Sequence, residues 1–135
     1  MSSKPIIIVS GEPQSVFFEI FLKTLKKLNI KSFRNPLLLI TSDKILYKNF
    51  RKFNANYNVN YVDERLHNLK IDKINLINIP YSKFSFNKKI TTQSNLFIEK
   101  CFDTALRILK NNKCLGFING PISKKTFLKG KFNGI

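Results

Sequence analysis

Apolar and polar positions alternate along this chain in blocks, and the period changes from block to block. Pro5-Ile6-Ile7-Ile8-Val9 is a continuous β-branched run, the pattern of a strand buried on both faces of a parallel sheet. Ser10-Gly11-Glu12-Pro13 reads as a turn, and Ser15 is placed to cap a helix. From Val16 the apolar residues Phe17, Ile20, Phe21, Leu25 and Leu28 recur at helical spacing, with Lys23, Lys26 and Lys27 mostly on the other side. Pro36 stops any helix. Leu37-Leu38-Leu39-Ile40 is a second buried strand, and Thr41-Ser42-Asp43 supplies a cap for a helix carrying Ile45, Leu46 and Phe50.

Asn58-Val59-Asn60-Tyr61-Val62 alternates and predicts a third strand. Arg65 to Asp72 is polar and reads as loop. Ile74 to Ile79 alternates again and Pro80 ends it. Tyr81 to Lys89 mixes aromatic and basic residues as an exposed loop or edge ribbon. Thr91 or Thr92 opens the longest helix, with Leu96, Phe97, Cys101, Ala105, Ile108 and Leu109 as its buried stripe. Leu115 to Ile118 is a last buried strand, broken at Asn119-Gly120-Pro121, and Ser123 opens another helix. Strands alternate with helices, so the expected class is α/β, a mainly parallel sheet with helices on both faces. No internal repeat, linker or domain boundary divides residues 1–135.

Composition narrows this little. Hydrophobic residues make up 43 % of 135, a globular balance sufficient for one core. The apolar runs are too short to span a bilayer or to serve as a signal peptide, so the expected location is cytoplasmic and no membrane partner is expected. Two cysteines, Cys101 and Cys114, and one histidine, His67, offer no metal-ligand spacing and no Ser-His-Asp set. The net charge of +16 suits an anionic partner. Its lysines are scattered from Lys4 to Lys131, with no arginine-rich arm, and so predict no specific nucleic-acid recognition.

The chemistry gathers on two loops that follow strands and begin helices, Ser10–Ser15 and Asn119–Ser123. In a parallel sheet both open on the carboxyl edge, where ligands bind, and they could wall one cleft. Gly11, Glu12 and Pro13 lie on the first loop; Asn119, Gly120, Pro121 and then Lys124 lie on the second. Neither loop matches a Walker sequence or Gly-x-Gly-x-x-Gly. On spacing alone Asn-Gly-Pro reads first as a plain turn, and Lys124 equally as a solvated lysine.

Three segments carry a resemblance. Pro5 to Pro13 followed by Glu19-Ile20 resembles the opening strand and Gly-Asp/Glu-Pro-Ala-Gly-Ile-Gly-Pro-Glu loop of the 4-hydroxythreonine-4-phosphate dehydrogenase family. The long helix from Thr91 sits at the right distance, and Ile118 to Lys125 resembles the family's Thr/Asn-Gly-Pro-x-x-Lys segment. The likeness runs along essentially the whole chain, which is less than half of a typical member. It implies the N-terminal portion of a two-domain enzyme, related to the isocitrate and isopropylmalate dehydrogenases, that works as a homodimer with NAD and a divalent metal. Such an enzyme oxidises phosphorylated hydroxythreonine in pyridoxal phosphate (vitamin B6) biosynthesis. The resemblance places Asn119, Gly120, Pro121 and Lys124 at the substrate and Gly11, Glu12 and Pro13 at the cofactor. No catalytic residue and no metal ligand of the family has a counterpart here, and His67 does not match one. Val16-Phe17-Phe18 replaces a Gly-Ile-Gly-Pro stretch, and Ile135 stands where a substrate-binding His is usual. The alternative is a free-standing basic α/β domain that binds an anionic ligand or nucleic acid without catalysis.

Overall fold

A computed structural model of the chain describes residues 3–81, 92–111 and 113–122. Five strands form one wholly parallel sheet: β1 (Ile6–Val9), β2 (Leu37–Thr41), β3 (Val59–Tyr61), β4 (Ile74–Asn78) and β5 (Gly116–Asn119). Their order is β3-β4-β2-β1-β5. The central strands are the continuous apolar runs. All of β2 is buried, and Ile7, Val9, Leu38, Leu39 and Ile40 are fully enclosed, as strands covered on both faces require.

Three helices connect them: α1 (Phe17–Lys27), α2 (Asp43–Lys52) and α3 (Thr92–Lys110). The chain steps from β1 to β2 and on to β3 through α1 and α2, then returns through α3 to β5 on the far side of β1. Right-handed crossovers in opposite directions put their helices on opposite faces. The side chains agree. Phe21 and Leu25 of α1 stand over Ile6 and Ile8. Phe102 of α3 meets Phe117 of β5 at 5.9 Å between ring centres, on the other face. The β3–β4 connection also crosses on the α3 face, where the exposed Arg107 Nε donates to Glu64 Oε1 at 2.9 Å.

Several expected details are corrected. The core stripe of α1 is Phe17, Phe18, Phe21, Leu22 and Leu25, while Ile20 and Leu28 are exposed. In α3 the buried residues include Ile98 and Phe102, whereas Leu96 and Leu109 face solvent. In both helices the apolar residues outnumber the positions one sheet face can cover, and packing chooses the stripe. Thr41-Ser42-Asp43 was expected to cap α2. Ser42 makes no cap hydrogen bond, and the Asp43 N–H is taken instead by Asn78 Oδ1 at 2.8 Å, reaching across from the end of β4. Ser15 does serve α1: its Oγ accepts from the Phe17 N–H at 3.2 Å. The last strand was expected to be buried. It is the sheet edge among the described residues, with Ile118 55 % exposed. An apolar run carries no mark that separates an edge strand from a central one. The expected helix from Ser123, and most of the Tyr81–Lys89 segment, lie outside the described residues.

Candidate functional site

The sheet order makes β1 and β5 neighbours, with Val9 paired to Asn119. Chain reversal occurs at this pair: from β1 the chain moves toward β2, while β5 is reached from the opposite side. Ligands of open α/β sheets bind at the carboxyl end of such a switch point. The two loops singled out in the sequence both leave from here.

They do not face each other across a gap. They are hydrogen-bonded backbone to backbone. The Gly120 N–H donates to Val9 C=O at 2.7 Å, and the Glu12 N–H donates to Pro121 C=O at 2.8 Å. Gly11 has φ +74°, a left-handed conformation that glycine adopts without strain. A Cβ there would lie 2.5 Å from Pro121 O and 2.7 Å from Gly120 C. A Cβ on Gly120 would strike the Ser10 carbonyl oxygen and stand 2.8 Å from Phe17 Cδ1. Each glycine is therefore required by the other loop. The space beside the Gly120 Cα is filled by Ser10 and Phe17. The same ring accounts for the bulk of Val16-Phe17-Phe18: Phe17 is buried, stacks on Phe21 at 5.5 Å and meets Phe18 edge-on at 5.0 Å.

Gly11, Glu12 and Pro13 are buried, and Glu12 is only 5 % exposed. Asn119 and Pro121 are exposed on either side of the buried Gly120, and Asn119 Nδ2 donates to Gly120 C=O at 3.2 Å. Lys124 lies outside the described residues. The first loop opens on a cavity of about 230 Å³, lined by Pro13, Gln14, Ser15, Glu19, Asn49 and Lys52 among others. Behind the loops the carboxyl edge is lined with small polar groups. Ser10 Oγ donates to Thr41 Oγ1 at 2.8 Å, and both residues are fully buried. Further along, Tyr61 Oη donates to Asp43 Oδ2 at 3.0 Å; partial burial and hydrogen bonds with Tyr47 and Asp43 push the phenol up, so it stays a donor. Sequence reasoning missed these hydroxyl and amide partners. Their one visible signal was that Ser10, Thr41 and Asn78 each follow or end an apolar strand.

Among the described residues no group of three His, Cys, Asp or Glu could hold a metal ion. The described residues therefore do not fit the divalent metal that the resemblance implies. The thiols are not nucleophiles either. Cys101 and Cys114 are buried, and burial pushes both thiols up, away from the reactive thiolate. Both should react with a thiol reagent at neutral pH at least roughly tenfold more slowly in the folded protein than in denaturant. Equal rates would show that the helix-α3 core is open.

Scans of family models and of curated proteins find no match. Solved structures do match. A 4-hydroxythreonine-4-phosphate dehydrogenase from Burkholderia phymatum overlays with a TM-score of 0.78 at 14 % identity, covering 100 % of this chain and 42 % of that one. A putative 4-hydroxythreonine-4-phosphate dehydrogenase from Salmonella typhimurium gives 0.77 at 17 %, covering 98 % and 43 %. The Klebsiella pneumoniae 4-hydroxythreonine-4-phosphate dehydrogenase gives 0.80 at 16 %, covering 98 % and 42 %. This chain thus has part of the fold of these dehydrogenases and spans less than half the length of each. Its expected class, a mainly parallel α/β sheet with helices on both faces, is borne out.

Proposed function

We propose that this chain is the N-terminal portion of an NAD-dependent dehydrogenase that oxidises 4-phosphohydroxy-L-threonine in pyridoxal phosphate biosynthesis. One observation carries the reading: three dehydrogenases of that name share the fold over at least 98 % of this chain. The locked β1–β5 loop pair supports it, because it sets a rigid wall at the switch point. In this reading Asn119 and Pro121 present the outer surface of that wall to a phosphorylated substrate, and Gly120 is its anchor. Lys124, three residues after Pro121 in the sequence, supplies the cation that pairs with the phosphate. Gly11, Glu12 and Pro13 form the layer behind, on the cofactor side. The chemistry of hydride transfer belongs to NAD, and the metal ligands come from residues outside this chain. Two copies of the complete enzyme form its homodimer, and it works in the cytoplasm.

The test uses the complete enzyme. Lys124→Ala should raise KM for the phosphorylated substrate by about tenfold or more, as loss of a charged contact does. Lys125→Ala should leave KM unchanged. Equal effects from the two would remove Lys124 from the substrate wall, and absence of NADH formation by the parent would overturn the function itself.

The alternative, a basic module that binds nucleic acid, has the charge of +16 in its favour. The predicted outcome is weak, sequence-independent binding that is lost steeply between about 50 and 200 mM salt. Sequence-selective binding that survives the higher salt would favour the module.

A further inference from the structure

The second loop opens on a chemically labile pair. In Asn119-Gly120 an asparagine precedes a residue with no Cβ to shield its backbone nitrogen. In an open chain that nitrogen can reach the carbonyl carbon of the asparagine's own side chain. Asn119 is exposed, so water has access to its amide, while Gly120 is buried.

The fold withholds this reaction at Gly120. Attack requires the Gly120 nitrogen to lose its proton and its peptide plane to turn toward Asn119 Cγ. Its N–H is held by Val9 C=O at 2.7 Å, at the end of the ladder that pairs Val9 with Asn119. The plane has little room to turn, because Ser10 C=O and Phe17 Cδ1 close the space beside the Gly120 Cα. Ser10 is anchored in turn by its hydroxyl bond to Thr41. At the leaving end, Asn119 Nδ2 donates to Gly120 C=O at 3.2 Å. The restraints on Gly120 itself all come from β1, its loop and the start of α1, and none from the neighbouring sequence.

We propose that Asn119 is a deamidation site gated by the β1–β5 loop pair, unreactive while the two loops are bonded and reactive once they part. In the open state the Gly120 nitrogen attacks Asn119 Cγ. The new N–C bond closes a succinimide ring, the Cγ–Nδ2 bond breaks, and Nδ2 leaves as ammonia with the Gly120 amide proton. Water then opens the ring at either carbonyl to give aspartate or isoaspartate, with no change of oxidation state. A carboxylate replaces a neutral amide. In the isoaspartate product the backbone runs through Cγ and gains an atom before Gly120, so the Gly120 N–H no longer lines up with Val9 and the lock does not re-form. The inference stands on the loop pair and does not depend on the dehydrogenase reading.

The test incubates the full chain in mildly alkaline buffer with and without denaturant, then follows deamidation by mass spectrometry of tryptic peptides. Cleavage after Lys113 and Lys124 separates Asn119 from the chain's other Asn-Gly pair, Asn133-Gly134, which serves as the internal reference in denaturant. There the two pairs should convert at similar rates. In buffer Asn119 should convert at least roughly tenfold more slowly than in denaturant. Two variants locate the protection. Gly11→Ala sets a methyl group against Gly120 and Pro121, and should speed conversion in buffer by about tenfold. Asn75→Leu disturbs the β3–β4 side of the sheet instead and should leave the rate near that of the parent. Circular dichroism establishes that both are folded. If either is not, the milder pair Thr41→Val, which releases Ser10, and Asn60→Ala, on the β3–β4 side, carries the same contrast. Equal rates for the parent in buffer and denaturant would overturn the inference. So would equal rates for the loop variant and its distant control, fast or slow, since the loop pair would then not be the gate.

Discussion

Gly120→Ala should lower the unfolding free energy by roughly 3 kcal/mol, the upper range for overpacking a closed site, and the melting temperature by about 10 °C. The physical cause is specific. The new methyl group meets the Ser10 carbonyl and the Phe17 ring. Ser10 is held by its hydrogen bond to Thr41, and Phe17 by its stack on Phe21, so neither yields cheaply. The strand-to-loop hydrogen bond from Gly120 to Val9 is strained at the same time. Gly116→Ala, four residues earlier, meets nothing within 4 Å and should change stability by less than about 0.5 kcal/mol. Gly11→Ala should resemble Gly120→Ala, because it combines the positive φ with a contact to Pro121. The double variant should fall short of the sum, since one outward shift of the second loop relieves both clashes. Thermal melts of the four variants decide it. A Gly120→Ala protein as stable as the Gly116→Ala protein would show that the two loops are not locked.

The second large effect is at Asn75. It is fully buried in β4. Its Nδ2 donates to Leu37 C=O at 2.9 Å and to Lys70 C=O at 2.8 Å, while its Oδ1 accepts from the Lys70 N–H at 2.8 Å and from Asn60 Nδ2 at 2.9 Å. One side chain thus holds the β3–β4 connection, whose Leu66 and Asn68 have positive φ, against the sheet. Asn75→Leu removes these four bonds, and a longer one from Nδ2 to Lys73 C=O at 3.4 Å, and leaves the Leu37 carbonyl with less than its share in a buried place. The expected loss is roughly 3 kcal/mol. Asn60→Ala removes only the outer members and should lose about 1 kcal/mol. Denaturant unfolding of the pair checks this. If both variants lose the same amount, Asn75 is not the hub of the network.

The sequence made the architecture readable because its central strands are continuous apolar runs. Pro5 to Val9 and Leu37 to Ile40 could be placed as buried strands from pattern alone, and the strands run Ile6–Val9 and Leu37–Thr41, the second taking in the Thr41 that was expected in a cap. It also showed which loops leave the carboxyl edge. It could not show that those loops touch, because contact depends on β5 returning beside β1, and strand order has no local signal. For the same reason nothing near Gly120 in the sequence shows what it packs against: its neighbours in space, Ser10 and Phe17, are over a hundred residues away. Asn75 was hidden differently. An Asn within an alternating strand reads as a solvent-facing position, and only the folded loop shows that it faces inward. The edge position of β5 and the rotated stripes of α1 and α3 were lost because apolar residues there exceed what the core covers.

The central claim is that these residues form one part of a hydroxythreonine-phosphate dehydrogenase whose metal ligands lie elsewhere. NADH formation tests it most directly, measured by absorbance with 4-phosphohydroxy-L-threonine, NAD and a divalent metal, on the 135-residue chain and on the complete enzyme in parallel. The account predicts metal-dependent NADH from the complete enzyme, abolished by a chelator, and none from the chain alone, whose described residues hold no metal-binding group. Metal-dependent turnover by the chain alone, or no turnover by the complete enzyme, would contradict it.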